Sequence, residues 1–390
     1  MRTKKLIVGV TAGVSALSFL RGQLNWFAHK GWEVVLVSNP DEKASLAAKG
    51  ERVRLEGIPM SREISVKEDF RALIRWIRLL QSENPSAVNV GTPKAGLLGT
   101  IAAFIMRVPT RLYVVRGLRL EGTSGKLFVL LWMVEKLIML LATDVFFVSE
   151  SLAQKASALN LAPVKKSWLI GNGSSNGVPA HQILRTISTV EPIKLRREIG
   201  LEADDFVVGF IGRINRDKGV DLLINALESK EINHRVKVLF VGGVENSALG
   251  DYLRKLGNKV VLVPWVENPW EYLPAMDILC LPSLREGFPN VVLEAAVAGV
   301  PSIVTSATGA VDSVVSGETG IILEDRDPLK LARQINDLAS NSKELTRLGK
   351  QARKRAISLF APERIWHGIL EILESKEHYE YARKFQSNIR

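Results

Sequence analysis

Short runs of β-branched and other apolar residues alternate with helical stretches along most of the chain, and this alternation constrains the fold more than any other feature. Continuous apolar strands separated by helices are typical of a parallel sheet that is covered on both faces. The runs form two series, one ending near residue 170 and one beginning near residue 206. The predicted strands are Lys5–Val10, Val34–Ser38, Val53–Ile58, Ala87–Val90, Leu112–Val115, Val145–Ser149 and Trp168–Ile170 in the first series, and Phe206–Gly212, Val236–Val241, Val260–Val263, Ile278–Leu281, Ser302–Thr305 and Gly320–Leu323 in the second.

The two series indicate two α/β domains. A chain of 390 residues, 46% of them hydrophobic, is too long for one ordinary core and supplies apolar surface for roughly two. The segment Gly171–Pro179 is rich in Gly, Asn and Ser, which marks a loop or hinge between the series. We therefore predict two similar parallel-sheet domains, residues 1–177 and 178–360, that face each other across a cleft.

Two apolar stretches are open to more than one interpretation. The N-terminus up to Leu20 has a basic start and an apolar middle, as a signal peptide has, but its Thr, Gly and Ser residues favour a strand, a Gly loop and a helix. The segment Leu127–Ala142 is interrupted by Glu135 and Lys136 and falls short of the ~20 residues of a membrane span. We interpret this segment as a buried helix.

The charge of the chain favours a partner with negative charge. There are 52 Lys and Arg against 41 Asp and Glu, a net charge of +11. Nucleic acid, an anionic membrane face and a phosphorylated substrate all carry such charge, but no helix-turn-helix pattern or aromatic-studded basic groove supports nucleic acid. The single cysteine, Cys280, allows no internal disulfide, predicts a buried strand thiol and fits a reducing compartment.

A basic stripe runs through the helical segment Phe70–Leu80. Arg71, Arg75 and Arg78 recur with apolar residues between them, so the three guanidinium groups share one side of the predicted helix. A surface helix packed on the core explains this pattern. Docking of the stripe on anionic lipid headgroups is the alternative.

Two cations follow the first strand of the second series. Ligands of open parallel sheets bind at the carboxyl ends of strands, where loops meet helix N-termini. Arg213 and Lys218 lie at such a strand-to-helix turn, where a guanidinium and an ammonium group could converge on a diphosphate. A solvated charged turn is the other interpretation. The glycine spacing matches neither the phosphate loop of NTPases nor a dinucleotide fold.

Two glutamates follow the strand that ends at Leu281. Glu286 lies in a loop before a helix that Pro289 is suited to begin, and Glu294 lies about one turn inside that helix. The helix dipole accounts for Glu286 without a ligand. Glu294 is flanked by apolar residues, so we expect a buried carboxylate that is satisfied either by a structural ion pair or by a ligand diol. A glycosidase acid/base pair is disfavoured, because that mechanism needs the two carboxylates to face each other across a sugar.

These motifs, in this order, resemble the retaining family 4 glycosyltransferases of the GT-B fold, which consists of two Rossmann-like parallel-sheet domains. The motifs are Gly212-Arg213, Lys218-Gly219, the stretch from Glu286 to Glu294, and Gly299-Val-Pro301. The similarity covers nearly the whole chain, because the hinge and the N-terminal Gly loop also match. The resemblance implies an acceptor-side first domain and a nucleotide-sugar-binding second domain. We also expect a C-terminal helix, about residues 361–390, to pack back on the first domain.

The resemblance also implies roles for individual residues. Arg213 and Lys218 would bind the donor diphosphate and stabilise its charge as it departs, Glu286 would bind the donor sugar hydroxyls, and Glu294 the ribose. The remaining residues implied in donor binding are Gly13, Gly212, Phe288, Pro289 and Asn290.

A closer likeness concerns the first half of the chain. Gly91–Gly99 and Arg116–Lys126 look like the subgroup that builds capsule, O-antigen and oligosaccharide chains on undecaprenyl diphosphate. Lys94 and Arg116 would lie on the acceptor or phosphate side, although Arg116 stands where many members of the family carry His. The likeness favours an N-acetylhexosamine donated from UDP, and a cytoplasmic enzyme held peripherally on the inner face of the cell membrane.

No cofactor and no metal are expected. Asp325-Arg-Asp327 has the form of the metal-binding Asp-x-Asp of another glycosyltransferase fold, but Asp327 before Pro328 is better explained as a helix N-cap. Two other functions stay open. One is a UDP-sugar epimerase or hydrolase on the same fold, and the other is a non-catalytic basic module that binds membranes.

Overall fold

A computed structural model describes residues 4–61 and 65–375 of the chain. Within these residues, every paired strand runs parallel to its neighbours. The strands form one sheet of seven and one of six, and all thirteen predicted strands are present, each with both ends within two residues of the prediction. The strands are β1 Lys4–Gly9, β2 Trp32–Ser38, β3 Arg54–Gly57, β4 Ala87–Gly91, β5 Thr110–Val115, β6 Asp144–Phe147, β7 Ser167–Leu169, β8 Phe206–Ile211, β9 Val236–Val241, β10 Val260–Val263, β11 Ile278–Leu281, β12 Ser302–Thr305 and β13 Gly320–Leu323.

Helices connect almost all of these strands, as a parallel sheet requires. The chain divides into two compact units, one of residues 4–177 with the helix that begins at Pro362, and one of residues 178–361. The helices are α1 Gly13–Phe19, α2 Gln23–His29, α3 Glu42–Glu51, α4 Val66–Glu83, α5 Pro93–Ile105, α6 Gly125–Leu141, α7 Glu150–Ala158, α8 Ala180–Ile187, α9 Pro192–Glu198, α10 Val220–Glu228, α11 Ser247–Lys255, α12 Asn290–Ala298, α13 Pro328–Ser340, α14 Ser342–Leu359 and α15 Pro362–Glu374.

The strand order reverses once in each sheet. The first sheet has the order β3-β2-β1-β4-β5-β6-β7 and the second β10-β9-β8-β11-β12-β13. The connections that follow β1 and β4 therefore run to opposite faces of the first sheet, and those that follow β8 and β11 run to opposite faces of the second. This divergence opens a crevice at the carboxyl ends of each pair of strands. Since parallel crossovers are right-handed, α4, α5 and α6 cover one face of the first sheet, and α5 contacts both of the others.

The N-terminal segment forms the central strand of the first sheet, followed by helix α1. Leu6 and Ile7 are fully buried, because β1 is paired on both edges by β2 and β4. The interpretation of this segment as strand, Gly loop and helix is confirmed. The prediction for the single cysteine is confirmed as well: Cys280 is buried in β11, and burial raises the pKa of its thiol to about 12.

Helix α6 corrects one prediction. Leu127–Ala142 was expected to form a buried helix, but only Glu135, Ile138 and Met139 of α6 are buried. The sequence of α6 is apolar all round, so its pattern does not identify an inner face, and one stripe suffices to cover the sheet. Within residues 4–61 and 65–375, every helix is too short or too polar to cross a bilayer.

The last described helix belongs to the first unit. The indole N–H of Trp366 donates to Asn176 Oδ1 at 2.6 Å, and the Trp366 ring lies 5.8 Å from that of Trp26 on α2. Asn176 Oδ1 also accepts from Gln23 Nε2 at 3.1 Å, and its amide donates to the Arg21 carbonyl. Residues 376–390 of the predicted C-terminal helix lie outside the described residues.

Replacement of Asn176 by Leu is expected to destabilise the first unit. The change leaves the Trp366 indole N–H and the Gln23 amide without their buried acceptor, and each unsatisfied group costs ~1–3 kcal/mol of stability. We expect the free energy of unfolding to fall by about 2–4 kcal/mol in urea unfolding followed by tryptophan fluorescence. Asn258→Leu, at an exposed position of the second unit, serves as the control. Equal losses in the two variants would contradict the prediction.

Candidate active site

Lys218 and Glu286 meet at the carboxyl ends of two neighbouring strands of the second sheet. Lys218 follows β8 and Glu286 follows β11, and Lys218 Nζ lies 2.5 Å from Glu286 Oε1. Ser283 Oγ donates to the same oxygen at 2.6 Å. The Lys218 and Glu286 side chains are only 22% and 11% exposed, so this ion pair is well shielded from solvent. The pair lies at the reversal of strand order, where α/β sheets bind ligands.

Two glycines permit the loops to come this close. Gly219 has a φ of +70°, and a Cβ added there would lie 1.8 Å from the Pro282 carbonyl oxygen. Gly309 has a φ of +76°, and its added Cβ would lie 2.3 Å from the Gly287 carbonyl oxygen. Both positions therefore need glycine for conformation and for space. The approach brings the loop after β8 against the loop after β11, and Glu286 beside Lys218.

Polar contacts fix the backbone on either side of the ion pair. Asn215 caps the short 3-10 helix Arg216–Lys218, because its side chain accepts from the Lys218 N–H at 3.1 Å. Arg326 Nη1 donates to the Pro282 carbonyl at 2.5 Å. The Glu286 N–H donates to the Thr308 carbonyl at 2.9 Å. The position of both charged groups is thus set by the strands and their loops rather than by the ion pair alone.

Arg213 has a different carboxylate partner. Its Nη1 lies 2.8 Å from Glu245 Oε1, and Asn215 Nδ2 donates to Glu245 Oε2 at 2.7 Å. The Arg213 side chain is 56% exposed. Arg213 and Lys218 therefore share the turn after β8, as the sequence predicted. In the described structure, however, Arg213 pairs with Glu245 and Lys218 pairs with Glu286.

Helix α12 places Glu294 one turn from its N-terminus, where the side chain is half-buried, so the expectation of a buried carboxylate is met only in part. Residues adjacent in sequence point about 100° apart around a helix, so apolar sequence neighbours do not enclose a side chain. Pro289 is the N-cap of α12, which begins at Asn290, and the buried Phe288 ring packs 5.6 Å from that of Phe360. The Phe288 side chain thus anchors the loop in the core.

Gly212 directly follows β8 and has a φ of +149°, and its carbonyl oxygen lies 1.9 Å from the position of a Cβ added at Gly242. In the first unit, Gly13 begins α1 and donates its N–H to Asp41 Oδ2 at 3.2 Å. A Cβ at Gly13 would lie 2.1 Å from the Ala44 nitrogen, so this glycine lets α1 pack against the start of α3. The structure therefore gives both glycines a packing role.

Two cations lie near the strand reversal of the first sheet. Lys94, in the first turn of α5, lies 2.6 Å from Asp69. Arg116 follows β5, and its Nη1 occupies the space above Gly91, 1.8 Å from the position of an added Cβ. The Arg116 Nε and Nη1 atoms are buried and have no hydrogen-bond partner among the described residues. Burial lowers the pKa of Arg116 to about 10, so the guanidinium stays charged at neutral pH.

An uncompensated buried guanidinium is costly, and an anionic ligand is the simplest way to satisfy it. The Phe19 ring lies 5.4 Å from the guanidinium and covers one of its faces. The N-terminus of α5, with its partial positive charge, follows directly after Gly91. These features make the neighbourhood of Arg116 a candidate anion site.

Family models cover both halves of the chain. Residues 193–355 match the model described as "Glycosyl transferases group 1", and residues 18–173 match the one described as "Glycosyl transferase 4-like domain". The capsular polysaccharide biosynthesis glycosyltransferase CapM of Staphylococcus aureus is 38% identical over 94% of this chain and 96% of its own length. The chain is a family 4 glycosyltransferase with the GT-B fold. The resemblance predicted from the motifs is confirmed.

Two further proteins compare with this glycosyltransferase over most of its length. A UDP-Gal:α-D-GlcNAc-diphosphoundecaprenol α-1,3-galactosyltransferase of Escherichia coli is 27% identical over 77% of this chain and 78% of its own. The crystal structure of Anabaena HepE in complex with UDP-glucose superposes with a TM-score of 0.79 at 20% identity, and covers 95% of this chain and 99% of that chain. At this identity the structural likeness supports the fold.

Sequence reasoning on this glycosyltransferase missed Ser283 and Glu245. Ser283 lies three residues before Glu286, a spacing that lets a loop residue donate back to the carboxylate. Glu245 follows β9, which pairs with β8, so its closeness to Arg213 depends on the strand order. Asp327 accepts from the Leu329 N–H at 2.8 Å, so its predicted role as a helix N-cap is confirmed.

Replacement of Gly219 by Ala in this glycosyltransferase is expected to displace the loop that carries Lys218. The added Cβ cannot lie 1.8 Å from the Pro282 oxygen, so the backbone of one of the two loops must move. The positive φ adds conformational strain to the cost of this movement. Gly257→Ala is a matched control, since Gly257 has a φ of +60° and nothing within 4 Å of an added Cβ. We expect the control to lose about 1–2 kcal/mol of unfolding free energy, and Gly219→Ala to lose more.

Equal losses of unfolding free energy in Gly219→Ala and Gly257→Ala would contradict the assignment of Gly219 to the close approach of the two loops.

Proposed function

We propose that this glycosyltransferase moves a sugar, an N-acetylhexosamine, from its UDP derivative to a saccharide on a polyprenyl diphosphate, with retention of configuration, in surface polysaccharide biosynthesis. The observation that carries the proposal is the shielded pair of Lys218 and Glu286 at the strand reversal of the second sheet. The names of the S. aureus and E. coli relatives support the pathway and the lipid diphosphate. The UDP-glucose complex of HepE supports a UDP-sugar donor.

The second unit binds the donor. Lys218 contacts the diphosphate, Glu286 accepts hydrogen bonds from the sugar hydroxyls, and Glu294, one turn inside α12, binds the ribose. Arg213 adds positive charge from the same turn as Lys218. The N-terminus of α12, with the backbone of Phe288 to Asn290, and the turn at Gly212 favour the negative charge of the donor. Gly13 of the first unit also takes part in donor binding.

The reaction breaks the bond between the anomeric carbon and the diphosphate oxygen, which keeps the electron pair. The acceptor hydroxyl oxygen forms the new bond to the same face of that carbon, and its proton passes to the departing phosphate. Charge therefore develops on the diphosphate in the transition state, where the ammonium of Lys218 stabilises it most. Before donor binding, Glu286 neutralises Lys218 at 2.5 Å, so the shielded site holds no net unpaired charge.

No metal is needed in this scheme, because Lys218 and Arg213 provide the positive charge near the diphosphate. Arg116, together with Lys94, contacts the diphosphate of the acceptor. A guanidinium suits this task, since it presents several donors in one plane to phosphate oxygens. The enzyme works at the inner face of the cell membrane, where the lipid-linked acceptor lies.

The main test is UDP release from a panel of UDP-sugars, each with and without an undecaprenyl-diphosphate-linked sugar. We expect release to need both the acceptor and one particular donor, to persist in excess EDTA, and to yield a retained anomer. Lys218→Ala and Glu286→Ala should lower kcat/KM at least about 100-fold, since the first removes the cation that stabilises the departing diphosphate and the second removes the acceptor that positions the donor sugar. Lys330→Ala, which breaks an exposed ion pair with Asp325, is the matched control.

Other outcomes of that test separate the alternatives. Turnover without acceptor favours the epimerase or hydrolase reading, and an inverted anomer rejects the proposed attack on the same face. Loss of activity in EDTA would overturn the absence of a metal. A protein that binds no UDP-sugar and turns none over would leave only a non-catalytic function.

Arg116→Leu is expected to raise the KM for the lipid-linked acceptor about tenfold or more, and to leave the KM for the donor unchanged. The substitution removes a guanidinium group whose buried Nε and Nη1 atoms lack partners in the described structure. The midpoint of thermal unfolding should therefore stay unchanged or rise. Arg119→Leu changes an exposed arginine three residues further on and serves as the control. A lower midpoint with an unchanged acceptor KM would identify Arg116 as purely structural.

A further inference from the structure

Helix α6 presents a stripe of large apolar side chains to solvent. Leu130, Met133, Leu137 and Leu140 recur at helical spacing and are 45%, 50%, 43% and 51% exposed. This stripe lies opposite the buried Glu135, Ile138 and Met139. Single exposed apolar residues are ordinary, but a row of four on one helix indicates an interaction surface.

The end of helix α5 extends this apolar surface. Phe104 and Ile105 are 50% and 51% exposed, and α5 packs beside α6. Arg111 joins the two helix ends: its Nε donates to the Leu141 carbonyl at 2.8 Å, and its guanidinium lies 5.7 Å from the Phe104 ring. We call Leu130, Met133, Leu137, Leu140, Phe104 and Ile105 the α6 patch.

Several cations flank the α6 patch. Glu135 is the one acidic residue of α6, and it is buried beneath the helix, where it accepts from the Tyr113 hydroxyl at 3.0 Å. Lys126 is exposed at the start of α6, and Arg107 is exposed just after α5. At the other end of α6, Lys166 Nζ donates to the Leu140 carbonyl at 2.8 Å.

The helical layer that carries the α6 patch also carries the basic stripe predicted from the sequence. Arg71, Arg75 and Arg78 are exposed on α4, while Trp76 and Leu80 of the same helix are buried. Helix α5 lies between α4 and α6 and contacts both. The apolar patch and the arginine stripe therefore belong to the same side of the first sheet.

We propose that the α6 patch docks on the surface of an anionic lipid bilayer, with α6 lying in the plane of the headgroups. Helix α6 has 17 residues, fewer than the ~20 of a span, and combines an apolar face with flanking cations. Lysine and arginine side chains beside an apolar face reach outward to phosphate headgroups. The inference rests on the proposed function, because a lipid-linked acceptor is met at such a surface.

A second copy of the chain fits the α6 patch less well. A symmetric dimer brings the same surface of both copies together, so the cations of one copy, Lys126 and Arg107 among them, would face the cations of the other. Like charges at an interface oppose association, whereas anionic headgroups attract all of these cations. Charge complementarity thus favours lipid over self-association.

The buried cysteine allows a direct test. Because Cys280 is buried and its thiol has a pKa raised to about 12, a cysteine introduced at the surface can be labelled selectively. We would label Leu137→Cys with nitrobenzoxadiazole and, as a matched control, Leu46→Cys on α3, which is 46% exposed. With mixed phosphatidylglycerol and phosphatidylcholine vesicles, the label at 137 should become brighter and blue-shifted, and the label at 46 should not. Equal responses at the two positions would overturn the proposal.

Vesicle co-sedimentation gives an independent measure. The double variant Met133→Glu and Leu137→Glu should lower the vesicle partition coefficient at least about tenfold, since each change removes an apolar side chain from the contact. The matched double variant Leu46→Glu and Ile357→Glu, also at exposed apolar positions, should bind vesicles as the parent does. Undiminished vesicle binding by the α6 variant would overturn the proposal. The proposal would also fail if the parent protein were a dimer and the α6 variant a monomer with the same vesicle binding.

Transfer to a water-soluble, short-chain diphosphate acceptor separates this inference from the proposed function. The α6 double variant should retain that transfer while it loses vesicle binding. Parent protein that transfers sugar but ignores vesicles would overturn the docking alone. Parent protein that binds vesicles through the α6 patch but transfers no sugar from any UDP derivative would overturn the proposed function and leave the surface assignment standing.

Discussion

The pairing of β8 with β11 is the interaction on which the candidate site depends. Ile278 and Leu279 align with Val208 and Gly209, so two segments far apart in sequence end at the same edge of the sheet. Only this adjacency brings Lys218 to Glu286, and the close approach at Gly219 completes it. The sheet fixes where the charged groups lie before any side-chain contact forms, which is how a rigid scaffold pre-organises a site.

The two units manage buried charge in opposite ways. In the second unit, the charges of Lys218 and Glu286 compensate each other, and the Ser283 hydroxyl donates a hydrogen bond to the carboxylate. In the first unit, the Nε and Nη1 atoms of Arg116 are buried without a described partner. At the paired site an anionic ligand must compete with Glu286 for Lys218, whereas an unpaired cation gains a partner as soon as an anion binds. This difference supports separate donor and acceptor roles for the two units.

Much of the fold could be predicted from the sequence, because a strand buried on both faces needs a continuous apolar run such as Val236–Val241. The motif residues also lie at the strand ends where they were expected. The differences between prediction and structure at α6 and Glu294 have one cause: an apolar stretch of sequence does not say which side of a helix is covered. The partner of Arg213 could not be found without the strand order, since Glu245 reaches it from the neighbouring strand β9.

The contact between Trp366 and Asn176 has a consequence for the order in which the protein is completed during synthesis. The second unit contains residues 178–361, so all of its chain has been made before α15 emerges. The first unit begins earlier but still lacks α15, and with it the indole that donates to Asn176 and packs against Trp26. The first unit therefore reaches its finished structure only after the whole second unit has been made, and a nascent chain exposes the apolar surface of α2 until α15 has emerged.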